Sequence, residues 1–223
     1  MIGIVIPAHN EEEHLSDCLL AIQQAVDELP ASVQVRVLVV LDSCTDQSLK
    51  LVQRAGINYL QCAVRCVGHA RDLGVRTLIA TGARWIACTD ADSKVDRFWL
   101  KQQLSHQPAD VICGVVEVDS WQHLSSLTRQ RYLQHYCDDM DHRHIHGANL
   151  SFSAEAYIKS GGFGALTCHE DVGLVKRMLN LQYKVIWSNR VRVMTSSRLI
   201  ARTPQGFSTF LKQLETTAYC PET

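Results

Sequence analysis

The stretch IGIVIPAHNEEEHLSDCLLAI, residues 2–22, decides the fold. It opens on an apolar run of strand length and passes through PAHNEEE into a segment where Leu15, Leu19, Ile22, Val26 and Leu29 recur at helical spacing. Asn10 is the candidate helix cap, with Glu13 three residues on. A second apolar run, VRVLVVL (35–41), completes a strand–helix–strand unit. INYLQC (57–62) and WIACT (85–89), with helices expected around 46–55 and 69–81, add two more. Runs apolar on both faces read as buried parallel strands, and the alternation is that of a doubly wound half-sheet.

After Val95 the rhythm changes. A helix is expected near 96–106, a strand at DVICGVVEV (110–118) and a long polar, aromatic-bearing segment from Trp121 to Tyr136, so the sheet becomes mixed. EDVGLVKRMLNL (170–181) reads as a helix with Val172, Val175, Met178 and Leu179 on one face. The strand KVIWS (184–188) follows, then a tail carrying Arg190, Arg192, Arg198 and Arg202 that is expected to lie over the sheet's edge. No repeat, low-complexity tract or Pro/Gly/Ser linker marks a boundary, and 223 residues suffice for one domain with a full core.

Composition narrows the function classes. A formal net charge of −1 provides no basic field for nucleic acid. No apolar run approaches the roughly 18 residues of a membrane span, and the passage of the first strand straight into PAHNEEE is unlike a signal peptide. The expected compartment is the cytoplasm, with peripheral membrane contact left open. Nine cysteines include no C-x-x-C, and several, such as Cys88 and Cys113, sit in apolar runs, so they read as reduced thiols. Cys62 and Cys66 with nearby histidines are the zinc alternative, without the paired-knuckle spacing such sites use.

In a parallel α/β sheet, ligands bind beyond the carboxyl ends of the strands. PAHNEEE, DSCTD and TDADS follow the first, second and fourth strands, which sets six or more carboxylates with His9, Asn10 and Thr45 along one rim. Such a rim suits a hard divalent cation and a ligand with its own negative charge. Asp90 and Asp92, flanking Ala91 at the end of an apolar strand, must be solvated or paired; they bind a cation or form an ordinary polar turn. Neither G-x-G-x-x-G nor G-x-x-x-x-G-K-[ST] follows the first strand, which disfavours a dinucleotide dehydrogenase and a P-loop NTPase.

IVIPAHNEEEHLSDCLLAI, VVLDSCTDQS, VGHARDLGV, WIACTDADS, HGANLSFSAEAYIKSGGF and HEDVGLVKRM come in an order and spacing that resembles glycosyltransferase family 2, over roughly residues 2–195. The resemblance implies a GT-A fold: a Rossmann-like mixed α/β sheet flanked by helices. It implies a nucleotide-sugar-binding half at 1–95, an acceptor and catalytic half at 96–195 and a C-terminal tail at 196–223. Pro7, Ala8, Asn10 and Glu11 resemble the loop lining the nucleoside, and Asp42 the carboxylate that accepts from the base. Arg71 matches an arginine that the family usually follows with Asn, where this chain has Asp72. Asp90-Ala91-Asp92 looks like the D-x-D motif, with Asp90 at the ribose or the metal shell and Asp92 on Mg²⁺ or Mn²⁺. Gly147 and Asn149 belong to the stretch resembling the strand beneath the sugar.

Glu170 and Asp171 resemble the family's acidic pair at a helix start, which implies Asp171 as general base; otherwise they complement the helix dipole. An ordinary aspartate pKa of about 3.9 is low for a base, and burial beside Glu170 would raise it. The implied reaction is a single displacement that inverts the anomeric centre and transfers one sugar, from a donor expected to be UDP-linked, to a small or lipid-linked acceptor. No cysteine nucleophile is needed. Q-x-x-R-W, a feature of processive members, is absent.

In DDMDHRHIHG, His142, His144 and His146 alternate, so an extended chain would put them on one face; they form a second metal site or a solvated loop. His146 adjoins Gly147 and could reach the donor sugar or diphosphate. The arginines of 190–202 either close over a diphosphate, bind an anionic acceptor or form a solvated face. Trp121, Trp187 and the other aromatics read as core or acceptor-groove residues, with stacking on a sugar as the alternative. The rival classes are a nucleotidyltransferase and a non-catalytic sugar-nucleotide-binding module.

Overall fold

The computed structural model describes residues 1–198 and 207–216. Arg202 and Cys220 lie outside the described residues. Strands β1 (Ile2–Ala8), β2 (Val35–Asp42), β3 (Asn58–Cys62), β4 (Trp85–Cys88), β5 (Ser93–Val95), β6 (Val111–Val118), β7 (Leu150–Ser153) and β8 (Val185–Thr195) form one sheet in the order β3-β2-β1-β4-β7-β6-β8-β5. The helices are α1 (Leu15–Asp27), α2 (Ser48–Arg54), α3 (Val67–Ala80), α4 (Trp99–Ser105), α5 (Ser126–His135), α6 (Ala154–Lys159), α7 (Glu170–Asn180) and α8 (Phe207–Glu215).

The first four strands pair in parallel, as the apolar runs require. Every residue of β1 is buried, and each enclosed Ile or Val side chain contributes roughly 1.5–3 kcal/mol. α3 lies close against this floor because of Gly74: a Cβ there would stand 2.3 Å from Val5 Cγ2 and 2.9 Å from Val40 Cγ2. β3 departs from the expectation of a buried strand. It takes the sheet's edge, so its residues are exposed or half-buried.

The second half is mixed: β7 runs antiparallel to β4 and β6, while β8 runs parallel to β6 and antiparallel to β5. β8 is longer than KVIWS. It continues to Thr195 across an irregularity opposite Gly114/Val115, so Arg190 and Arg192 stand on a strand and not on a tail over the sheet's edge. Their charges hid it, because β8 is only partly buried there. Arg192 pairs with Glu117 and Asp138.

Three other expectations need correction. Asn10 does not cap α1, whose N-cap is His14 without a side-chain bond. On α7 the buried stripe is Leu174, Val175 and Met178, with Leu179 exposed and Val172 half-buried, because the helix is rotated to bury Glu170. Gly147–Asn149 is a 3₁₀ turn, and the strand begins at Leu150. Trp187 is a core residue, and Trp121 joins a small separate cluster around Tyr132.

Candidate active site

The carboxyl ends of β1, β2 and β4 open into one cleft of about 810 Å³. Of the residues expected to bind nucleotide sugar, metal or acceptor, Pro7, Ala8, Glu11, Asp42, Arg71, Asp90, Ala91, Asp92, Gly147, Glu170 and Asp171 line it. Asn10 and Asn149 do not.

Asn10, in the left-handed region at φ 54°, turns away. Its Oδ1 accepts from the backbone N–H of Thr45 at 2.7 Å and of Asp46 at 3.3 Å, tying the loop after β1 to the loop after β2. Asn149 is fully buried; its Nδ2 donates to Val115 O (2.7 Å) and Val191 O (2.8 Å), and its Oδ1 accepts from Trp99 Nε1 (2.9 Å). It closes the irregularity between β6 and β8. Gly114 makes room for it, since a Cβ there would lie 2.2 Å from Asn149 Nδ2.

Asp42 ends β2 and organises the next loop. Its Oδ1 accepts from Val64 N and Arg65 N, each at 2.9 Å, and from Ser43 Oγ at 2.9 Å, while Oδ2 accepts from Cys66 N at 2.8 Å. Burial would raise its pKa, but the three N–H groups and the hydroxyl outweigh burial and lower it. Three of these four bonds fall on Oδ1, so Oδ2 is the less engaged oxygen of a carboxylate that lines the cleft.

Arg71 is the centre of the site. Its guanidinium is buried on α3, with Nη1 donating to Glu170 Oε1 and Nη2 to Asp90 Oδ1. Gly147 is the residue that lets it fit, since a Cβ there would meet Arg71 Nη1 at 2.3 Å. The Asp72 that follows Arg71 leaves the cleft, accepting from Tyr157 OH (2.6 Å) and from Arg76 Nε (2.7 Å). α7 is entered through His169 in the left-handed conformation (φ 58°), which costs a non-glycine residue about 1–3 kcal/mol. That turn sends Glu170 inward to Arg71 and Asp171 to the cleft wall. Asp171 is half-buried, so the expected burial beside Glu170 applies to Glu170 alone. Its Oδ2 accepts from Gly147 N at 2.6 Å and its Oδ1 from Val172 N at 2.8 Å, which fixes the carboxylate and leaves lone pairs for an incoming hydroxyl.

Asp92 and Glu11 face each other across Arg198. The guanidinium binds Glu11 in a fork, Nη1 to Oε2 and Nη2 to Oε1, both at 3.0 Å, and Nη2 also reaches Asp92 Oδ2 at 2.7 Å. Its buried Nε has no acceptor among the described residues. Burial pushes Asp92 up to about 6; Arg198 pulls against that, and Asp90 and Glu11 add to it. Sequence could not reveal this pairing, because Arg198 and Glu11 are 187 residues apart.

Among the described residues no three His, Cys, Asp or Glu side chains converge as a ready ligand set for a metal. Asp92 and Asp90 are hard oxygen donors, and Mg²⁺ characteristically takes only one or two protein carboxylates plus substrate phosphates. The donor set therefore fits an ion that arrives with a diphosphate.

The far wall is aromatic. Val116, Tyr136, His144, Ile145, His146, Phe207 and Phe210 line it. Residues 142–146 are irregular, yet the alternating histidines do share a face, with ring centroids 5.4 Å apart for His142–His144 and 5.8 Å for His144–His146. Tyr136 closes the aromatic-bearing segment marked out in the sequence, but only the fold brings it, Phe207 and Phe210 to the histidines.

A mixed sheet whose parallel strand ends carry this acidic rim defines the GT-A class of glycosyltransferase. The chain matches Glycosyl transferase family 2 over residues 3–160, and it belongs to that family. Among curated proteins no sequence matches significantly. Solved structures with a similar fold include S. aureus TarS (TM-score 0.68, 14% identity, 87% of this chain and 36% of that one). Others are the mannosyltransferase PcManGT from Pyrobaculum calidifontis in complex with GDP-Man and Mn²⁺ (0.64, 16%, 96% and 60%) and GalNAc-T7 with UDP, GalNAc and Mn²⁺ (0.67, 13%, 91% and 46%). The chain thus spans between about a third and three-fifths of these proteins, and at such identities the likeness is one of fold. No helix among the described residues is long and apolar enough to cross a membrane.

Proposed function

We propose that this chain transfers a single sugar from a nucleotide-sugar donor to an acceptor hydroxyl with inversion at the anomeric carbon. One observation carries the reading: a single cleft holds the Asp90–Asp92 rim at one end and, beyond Arg71, the carboxylate of Asp171 fixed by two backbone N–H groups. A uridine donor is the first to test, since the TarS structures hold UDP and UDP-GlcNAc.

In this reading residues 1–95 bind the donor and 96–195 the acceptor within a single domain, and the cleft draws on both. Pro7 and Ala8 wall the nucleoside, and Asp42 meets the base. Asp92 and Asp90 would hold Mg²⁺ or Mn²⁺, which when bound supplies positive charge to the departing diphosphate. Arg198 exchanges its bonds to Glu11 and Asp92 for the diphosphate. Arg71 fixes Asp90 and Glu170, and so the entry of α7. Asp171 accepts the proton of the attacking hydroxyl, a role worth roughly 10²–10⁴-fold in rate.

The test is a donor screen that follows nucleoside diphosphate release from a panel of nucleotide sugars with Mg²⁺ or Mn²⁺ supplied. Release above the blank, lost in Asp171→Asn, supports the reading. Affinity for donors with no release under any condition would make the chain a binding module instead.

A further inference from the structure

The aromatic wall is chemically unlike the rest of the cleft. Tyr136 stacks on His144 with centroids 4.2 Å apart and planes 4° from parallel; Tyr132 stacks behind Tyr136 at 4.9 Å, and Phe207 meets His146 edge-on. The described residues lining this half include no lysine or arginine. The nearby Arg192 is engaged by Glu117 and Asp138, and Arg131 Nη1 donates to Leu214 O.

Tyr136 OH accepts from Val116 N at 2.7 Å and lies within hydrogen-bond distance of His146 Nε2, 3.1 Å away, which ties His146 to the aromatic stack. Burial, reinforced by the neighbouring His144 and His142, pushes His146 down to about 3; burial also lowers His144 and His142. Gly147, the next residue, is the one that holds Asp171, so this wall abuts the proposed base.

We infer that this half of the cleft seats an uncharged acceptor whose reacting hydroxyl adjoins a flat apolar face, the ring lying against the outer side of the Tyr136–His144 stack. The inference rests on the transferase reading and names the acceptor class within it. A pyranose and an aryl alcohol share this chemistry. A sugar phosphate does not, because the described residues of the wall present rings and no lysine or arginine to offset the charge removed from water.

Saturation-transfer NMR without donor tests this apart from turnover. The probes are methyl β-glucoside, 4-hydroxybenzyl alcohol and glucose 1-phosphate, applied to the full chain, to Tyr136→Ala and to His144→Leu, with UDP affinity measured in parallel by calorimetry. Binding by either neutral probe, weakened roughly fivefold to tenfold in at least one variant whose UDP affinity is intact, is expected. Which neutral probe binds tells a sugar acceptor from an aryl one. Preferential binding of glucose 1-phosphate, no binding by either neutral probe, or affinities unmoved by both substitutions would overturn the inference. Loss of UDP binding by the unaltered chain would instead strike the transferase reading.

Discussion

At the β1–β4 end of the cleft, charge is met by charge: Arg71 lies between Asp90 and Glu170, and Arg198 between Glu11 and Asp92. At the α5–α8 end the same cavity is walled by stacked rings. The charged end suits a ligand that brings its own charge and a cation, and the aromatic end one that brings neither. On the proposed reading, one cavity sorts donor from acceptor by electrostatics before shape matters.

Substitutions sharpen this contrast, starting at the border between the ends. Asp171→Asn is expected to lower donor turnover by about 10²–10⁴-fold while UDP affinity, read by calorimetry, stays within a factor of two or so. Equal loss of both would move Asp171 into the donor site.

Arg71→Met strands Glu170, which is almost fully buried, and should cost roughly 3–5 kcal/mol in urea unfolding. A loss under 1 kcal/mol would show that the arginine's charge is dispensable to the fold. Arg198→Gln tests the partly exposed counterpart. It is expected to raise Mn²⁺ affinity in the absence of nucleotide by about tenfold, equivalent to 1.4 kcal/mol, as read by electron paramagnetic resonance. Unchanged affinity would mean that Arg198 does not compete for Asp92.

The smallest effect is pH-dependent. Asp42 has a folded pKa below its unfolded value, so its ionised form contributes stability above about pH 4, and this is lost as pH falls through the folded value. The unfolding free-energy difference between the parent chain and Asp42→Asn should therefore be flat from pH 7 to 5 and shrink below 4. A difference that grew on acidification would reverse the assigned sign.

How much of this was readable in the chain depends on locality. β1, β2 and β4 and their rim loops were legible because each is a continuous apolar run followed by acids. β5 was not, being three residues with a lysine at its centre, and β8 was half-legible because Arg190 and Arg192 interrupt its pattern. Asp42, Asp90 and Asp92 stood out by their place after strands and Asp171 by the resemblance of its helix start to the family's, and all four line the cleft. Asn10 and Asn149 were drawn in by the same logic, yet both spend their amides on backbone partners distant in sequence. A side chain's type and neighbourhood are written locally, whereas its direction is set by elements that arrive later in the chain.

The left-handed His169 carries a consequence beyond the site itself. Because one strained residue aims both acids of α7, a side chain that relaxes it toward a right-handed turn would slew Glu170 off Arg71 and carry Asp171 away from Gly147 together. The anchor and the proposed base share a single hinge pin, so damage to one should rarely be seen without the other.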